Sequence, residues 1–172
     1  KAGSAEVSFN AFANYAEGIG KQRLRVISCS STGTARVLFT LDRSFGLRRA
    51  FVSLFRRAAD PGKSSKNPLN ALTPVMGQSH HAADVNTVLP DLKLYSMSAD
   101  CPTTFAHVLN FQADLERAAS IDEVINAFDV MPRVAVGRGL ASTADVAEHY
   151  REQARPRQDR PEVYVWREGV ML

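Results

Sequence analysis

The chain has 172 residues, 45% hydrophobic and 23% charged, enough to bury one sizeable core and too balanced for a disordered or fibrous chain. Its net charge of +3, with a pI near 9.1, is mildly basic, but Lys and Arg are interspersed with acids and form no aromatic-interleaved stripe; this argues against nucleic acid and for a small phosphorylated or carboxylated partner. Two cysteines, Cys29 and Cys101, are too few for a disulfide framework and lack paired zinc spacing, and no apolar run reaches the roughly 20 residues of a membrane span, so a reducing cytoplasmic setting without metal or membrane is expected.

In chain order, Arg23 to Ser28 is β-branched and short, and it leads into Cys29, Ser30, Ser31 and Thr32, which favour a helix start. Val37, Leu38, Leu41 and Phe45 then recur at helical spacing until Gly46, which closes the helix. Ala50 to Phe55 is a second strand, ending on Arg56 and Arg57, and 58–78 is a loop dense in Pro, Gly, Ser, Lys and Asn. Ser79 caps a helix with Val85, Val88 and Leu89 on its buried stripe, stopped by Pro90, and Leu92 to Ala99 and Phe105 to Leu115 alternate as strands.

Ser120 with Glu123 is a capping box for a helix through Ile121, Val124, Ile125 and Phe128. Arg133 to Gly137, a helix opened by Ser142 and Asp145, and a strand over Val163 to Trp166 complete the series. Several strand pairs lack an intervening helix, which predicts an α+β fold: a mixed, largely antiparallel sheet covered by helices, one domain over 1–172. Lys1 without an initiator Met, and Tyr164 to Leu172 read as a strand without its hairpin partner, point to a piece of a longer protein.

At the strand-to-helix junction, the Cys29 sulfur lies near unsatisfied N–H groups and the positive end of a helix dipole, a setting that favours a nucleophilic thiolate. Position alone also allows a small buried hydrophobe, and Cys101 beside Pro102 is read as structural. A thiol needs a proton partner: His107 shares a strand face with Phe105, Leu109 and Phe111, as a core histidine or a base, whereas His149 reads as a surface residue. Arg56, Arg57, His80 and His81 are residue types that collect around phosphate, although adjacent strand residues point to opposite faces. No GxGxxG loop follows an early strand, so most of any dinucleotide site lies elsewhere.

Together the motifs resemble the type II glyceraldehyde-3-phosphate dehydrogenases typical of archaea. Ser28-Cys29-Ser30-Ser31-Thr32-Gly33 resembles that family's Ser-Cys-Asn-Thr-Thr-Gly. Arg56-Arg57-Ala58-Ala59-Asp60-Pro61, Asn67-Pro68-Leu69-Asn70-Ala71, Ser79-His80-His81-Ala82-Ala83-Asp84-Val85-Asn86-Thr87-Val88 and Pro102-Thr103-Thr104-Phe105-Ala106-His107 resemble four further segments in order. The resemblance implies a thiol that attacks glyceraldehyde 3-phosphate, with NAD or NADP as hydride acceptor and inorganic phosphate cleaving the thioester. It makes Cys29 the nucleophile and His107 the base, and places Ser31, Thr32, Arg56, Arg57, His80 and His81 around substrate and phosphate.

The resemblance also implies a homotetramer and a Rossmann domain absent from these residues, without which they do not turn over. The chain departs from the family at Ser30 and Ser31, at Leu109 in place of a frequent second His, in a shorter loop before Ser79, and at Trp166-Arg167-Glu168 in place of a more acidic segment. Two other readings stand beside this one: a non-catalytic relative serving as an oligomerising module, and a thiol acyl enzyme that needs no nicotinamide.

Overall fold

The computed structural model describes residues 4–58, 71–156 and 160–172. The expectations that fall on 1–3, on Ala59, Asp60, Pro61 and Asn67 to Asn70 of the matched segments, and on Arg157 lie outside the described residues. The chain divides into two units, the first comprising Lys1–Leu54, Val75–Ser98 and Leu109–Ala118, the second Phe55–Pro74, Ala99–Val108 and Ala119–Leu172.

In the first unit, β1 (Val7–Phe9) pairs in parallel with β2 (Leu24–Val26), Ser8 opposite Arg25, across a loop containing the one-turn helix α1 (Tyr15–Gly18). Sequence periodicity does not register β1 or α1, because three strand residues and one helical turn are too short to show a period. The helix α2 (Cys29–Phe45) follows, capped by Ser28, whose hydroxyl accepts from Ser31 N. It ends as expected at Gly46, which has φ +70° and donates its N–H to Asp42 O at 2.8 Å. A Cβ there would crowd Glu116 Oε2 at 2.7 Å, the end of an exposed side chain that can move aside, so it is the backbone conformation that favours glycine.

A four-stranded sheet has the order β4 (Thr73–Pro74), β5 (Leu94–Cys101), β3 (Leu47–Arg57), β6 (Val108–Leu115). The sheet is mixed. β4 runs antiparallel to β5, and Glu116 N reaches Gly46 O, joining the end of β6 to the start of β3. Ala50 N reaches Lys93 O, start beside start, so β3 and β5 are parallel, connected through α3 (His80–Asn86). In the first unit, Ala35, Leu38, Leu41 and Phe45 of α2 and Ala82 and Val85 of α3 are buried, as are Ala50, Val52 and Leu54 of β3 and Leu94 of β5. Strand period two leaves the other face of β5 outward, with Tyr95 and Met97 exposed.

In the second unit, α4 (Ile121–Asp129) carries the expected capping box, with Val124, Ile125 and Phe128 buried. β7 (Val134–Gly137) and β8 (Val163–Trp166) pair in parallel around α5 (Thr143–Glu152), a short βαβ crossover. Several bounds differ from expectation. β4 lies within the stretch expected to be loop, β3 starts earlier, at Leu47, α3 ends at Asn86, before Val88 and Leu89, and β5 runs from Leu94 to Cys101 instead of Leu92 to Ala99. β6 begins only at Val108, because Thr103 N turns back to Cys101 O at 2.8 Å and Thr103 Oγ1 accepts from Phe105 N, which bends the chain ahead of the strand.

Candidate active site

The sequence candidates fall into one group in each unit. In the first, β2 delivers the chain to Ser28, whose β-region backbone starts α2 and places Cys29 in its first turn, exposed. Ser31 is fully buried and Thr32 half-buried, and both hydroxyls have local partners. Thr32 Oγ1 donates to Ile27 O at 3.3 Å, and Ser31 Oγ lies 2.8 Å from Ser28 Oγ. Neither cysteine forms a disulfide.

The residue that organises this turn is Asp84, in α3. Its carboxylate accepts from Ser28 N at 3.0 Å and from Arg25 Nη1 at 2.6 Å, and the Ser31 hydroxyl also favours its ionised form. Burial pushes the carboxyl toward its neutral form, but these donors together outweigh it and hold the group down at about 2. Arg25 in turn reaches back to Ser8 Oγ of β1 and to Thr87 Oγ1, 2.7 and 3.0 Å from Nη2. One charged pair thus binds β1, β2, α3 and the thiol turn. Sequence reasoning gave Arg25 and Asp84 no role; Asp84 was visible only as a member of the Ser79-to-Val88 segment.

The two histidines of that segment have different surroundings. His80 is exposed, whereas His81 is buried, its ring 4.1 Å from that of His80 and its Nδ1 3.1 Å from Ser79 Oγ. Ser79 Oγ bonds Ser96 Oγ, which accepts from Ala82 N, so His81 belongs to a buried serine network under α3.

In the second unit, Arg56, Arg57 and His107 are brought together around the end of β3. Arg57 N donates to His107 Nδ1 at 2.9 Å, its guanidinium donates to Thr104 O at 3.2 Å, and Arg56 Nη1 lies 3.4 Å from Asp100. His107 therefore sits in the turn before β6, half-buried, and not on the strand face expected from period two. With Nδ1 accepting from an amide, the neutral ring carries its proton on Nε2. A cavity of about 400 Å³ in the same unit, lined by Arg138, Tyr150, Arg155, Glu162 and Tyr164 among others, contains none of the candidates.

Two helix starts leave no open amides for a dinucleotide pyrophosphate. The helix starts at α2 and α5, each fed by a strand, are closed by the chain's own groups. At α2 these are Ser28 Oγ and Asp84; at α5, Ala141 N donates to Asp145 Oδ2 and Asp145 N to Ser142 Oγ, putting an anion where a pyrophosphate would go. No three His, Cys, Asp or Glu side chains gather as a metal site among the described residues, and no described helix is long and apolar enough to cross a membrane.

The family described as glyceraldehyde 3-phosphate dehydrogenase, C-terminal domain, matches residues 28–154. The chain is similar to a glyceraldehyde-3-phosphate dehydrogenase of Hyperthermus butylicus, 41% identical over 177 residues, covering 100% of this chain and 52% of the relative. A second, of Pyrobaculum calidifontis, is 43% identical over 174 residues, with 98% and 51% covered. A third, of Methanosarcina barkeri, is 38% identical over 171 residues, with 98% and 51% covered. The chain spans about half the length of these curated relatives. Among solved structures, aspartate semialdehyde dehydrogenase II from Vibrio cholerae has the same fold, with a TM-score of 0.65 at 10% identity, covering 78% of this chain and 52% of that one.

Proposed function

The chain belongs to the glyceraldehyde 3-phosphate dehydrogenase family through its C-terminal domain, and from that premise we propose that it supplies the catalytic thiol for phosphorylating oxidation of glyceraldehyde 3-phosphate, a step of glycolysis and gluconeogenesis. The observation that carries this reading is Cys29, exposed in the first turn of α2 within the segment the family matches.

The Cys29 thiolate adds to the aldehyde carbon, forming a C–S bond and leaving charge on the former carbonyl oxygen. His107 is the proton partner. Its Nε2–H, fixed by the Arg57 amide on Nδ1, suits donation to that oxygen; taking the thiol proton as a base requires the ring to release the amide and hold its proton on Nδ1. Arg56, Arg57, His80 and Thr32 are the groups proposed to meet the substrate and attacking phosphates. Ser31 and His81 contribute from buried positions, through the turn and helix they hold.

The hydride acceptor, NAD or NADP, is assigned to residues other than those described. A homotetramer in the cytoplasm fits the exposed Tyr95 and Met97 on the outward sheet face. The test is Cys29→Ser in the complete protein, assayed for NAD(P) reduction with glyceraldehyde 3-phosphate and inorganic phosphate. Loss of turnover by about a thousandfold or more is expected; retained turnover overturns the role of Cys29, and an inactive parent protein supports the non-catalytic module instead.

A further inference from the structure

The thiol turn is fixed from outside itself. A helix N-cap ordinarily satisfies its own first turn, as Ser120 and Glu123 do for α4. At α2 the N-cap residue is itself held: Ser28 uses its hydroxyl for Ser31 N, and its backbone N–H goes to Asp84, a residue 56 positions away on another helix. We propose that Asp84 is a positioning residue for Cys29, its carboxylate locking the Ser28–Ser31 turn to α3 and thereby setting the reactivity of the thiol that the turn carries. This inference rests on the reading of Cys29 as the nucleophile.

The direction of each hydrogen bond follows from the chemistry of the groups. An ionised carboxylate only accepts, so Ser28 N–H and the Arg25 guanidinium donate to Asp84, at 3.0 and 2.6 Å, and the Ser31 hydroxyl helps to keep it ionised. The two serine hydroxyls lie 2.8 Å apart, and Ser28 Oγ accepts from Ser31 N–H at 3.4 Å. Arg25 holds the carboxylate at 2.6 Å, and the Asp84 side chain is only 10% exposed. Ser31 has 0% exposure, and its hydroxyl lies against Ser28 Oγ, inside the turn. Ser31 acts on the turn.

This arrangement makes an unusual prediction of sign. Removing a negative charge from the neighbourhood of a thiol, with nothing else changed, makes the thiolate easier to form. Removing the clamp loosens the first turn of α2, and with it the oriented amides and dipole that favour the thiolate, which makes it harder to form. If positioning dominates, Asp84→Asn raises the pH at which Cys29 becomes reactive. The side-chain amide that this substitution introduces keeps one acceptor for Ser28 N–H but turns an NH2 toward either the Arg25 guanidinium or the Ser31 hydroxyl, so it does not restore the clamp.

The experiment is the pH–rate profile of iodoacetamide alkylation of the full chain, with Cys29 followed by peptide-resolved mass spectrometry. In Asp84→Asn the midpoint of the Cys29 profile should move up by about half to one pH unit, the size of a helix-end effect, and the rate at neutral pH should fall about three- to tenfold. The plateau at high pH should be retained. A midpoint that stays put while the melting temperature drops assigns Asp84 to stability alone, and a midpoint that falls assigns it to simple charge; either result overturns the proposal. Should Asp84→Asn fail to fold, Ser31→Ala removes one supporting hydroxyl and leaves the carboxylate with Arg25. A smaller upward shift supports the clamp, and none overturns it. Because alkylation requires no turnover, these outcomes are separate from the fate of the catalytic reading, which Cys29→Ser decides.

Discussion

Cys29 opens α2, exposed, where a strand hands over to the oriented amides of a 17-residue helix; Cys101 closes β5, half-buried, with Asp100 beside it. The same side chain is in one place aimed at solvent from the positive end of a dipole. In the other, burial and then the neighbouring carboxylate push the thiol above its ordinary value. What separates them is backbone placement: Cys29 stands in the first turn of a helix fed by β2, whereas Cys101 ends a strand, with its sulfur 3.9 Å from Ala99 O. A thiol at the end of a strand that lies between β4 and β3, beside the Ala99 carbonyl at 3.9 Å and the Asp100 carboxylate, is held in its protonated form.

Direct competition between the two thiols is the largest effect expected. At neutral pH, iodoacetamide should modify Cys29 at least about tenfold faster than Cys101, since a raised thiol is almost entirely protonated there. Equal rates, read from the two modified peptides in one digest, would remove the difference on which the comparison stands. Cys101→Ser is expected to leave Cys29 labelling unchanged.

The next effect concerns acid stability. The Asp84 carboxyl lies at about 2 in the fold against an ordinary 3.8. A carboxyl lowered on folding adds stability that is complete above the unfolded value and disappears as the pH falls through the folded one. The window is therefore about pH 5 down to about 2, and the loss about 1 to 2 kcal/mol after allowance for solvent screening. Urea midpoints measured through that window should fall more steeply for the parent chain than for Asp84→Asn, whose curve lacks this step. Parallel curves would mean that the carboxylate gains nothing from its donors on folding.

The first unit's helix α2 was readable from local rules: a Ser before the apolar period, Gly after it, and 3.6-residue spacing between. So were α4 and α5, whose caps lie within four residues of the side chains that answer them. What stabilises the thiol turn was not readable, because Arg25 and Asp84 are 59 positions apart and their pairing depends on the crossover that lays α3 beside α2. His107 was misplaced for a related reason. Alternation predicted a strand face, but the Thr103 turn and the Arg57 amide decide where the ring lies, and both are set by tertiary pairing with the end of β3. The resemblance named residues but not their connections; it put Ser31 and His81 with the phosphate groups, and in the fold both are buried, Ser31 Oγ against Ser28 Oγ and His81 Nδ1 against Ser79 Oγ.

The smallest effect compares the two serine caps. Ser120 and Ser28 do the same local work, each accepting from the third amide of its helix, but Ser120 is answered by Glu123 in its own turn while Ser28 N–H is answered from α3. Ser120→Ala should cost about 1 kcal/mol of stability, the ordinary worth of a cap, and leave the Cys29 alkylation profile where it was. Ser28→Ala should cost a similar amount, because its backbone N–H still meets Asp84, yet it deprives Ser31 N of its acceptor in the turn that carries the thiol. A change in Cys29 reactivity for Ser28→Ala and none for Ser120→Ala, at matched loss of stability, separates a cap that only holds a helix from one that also holds a nucleophile. Matched loss with no change in reactivity for either would reduce both serines to helix starts.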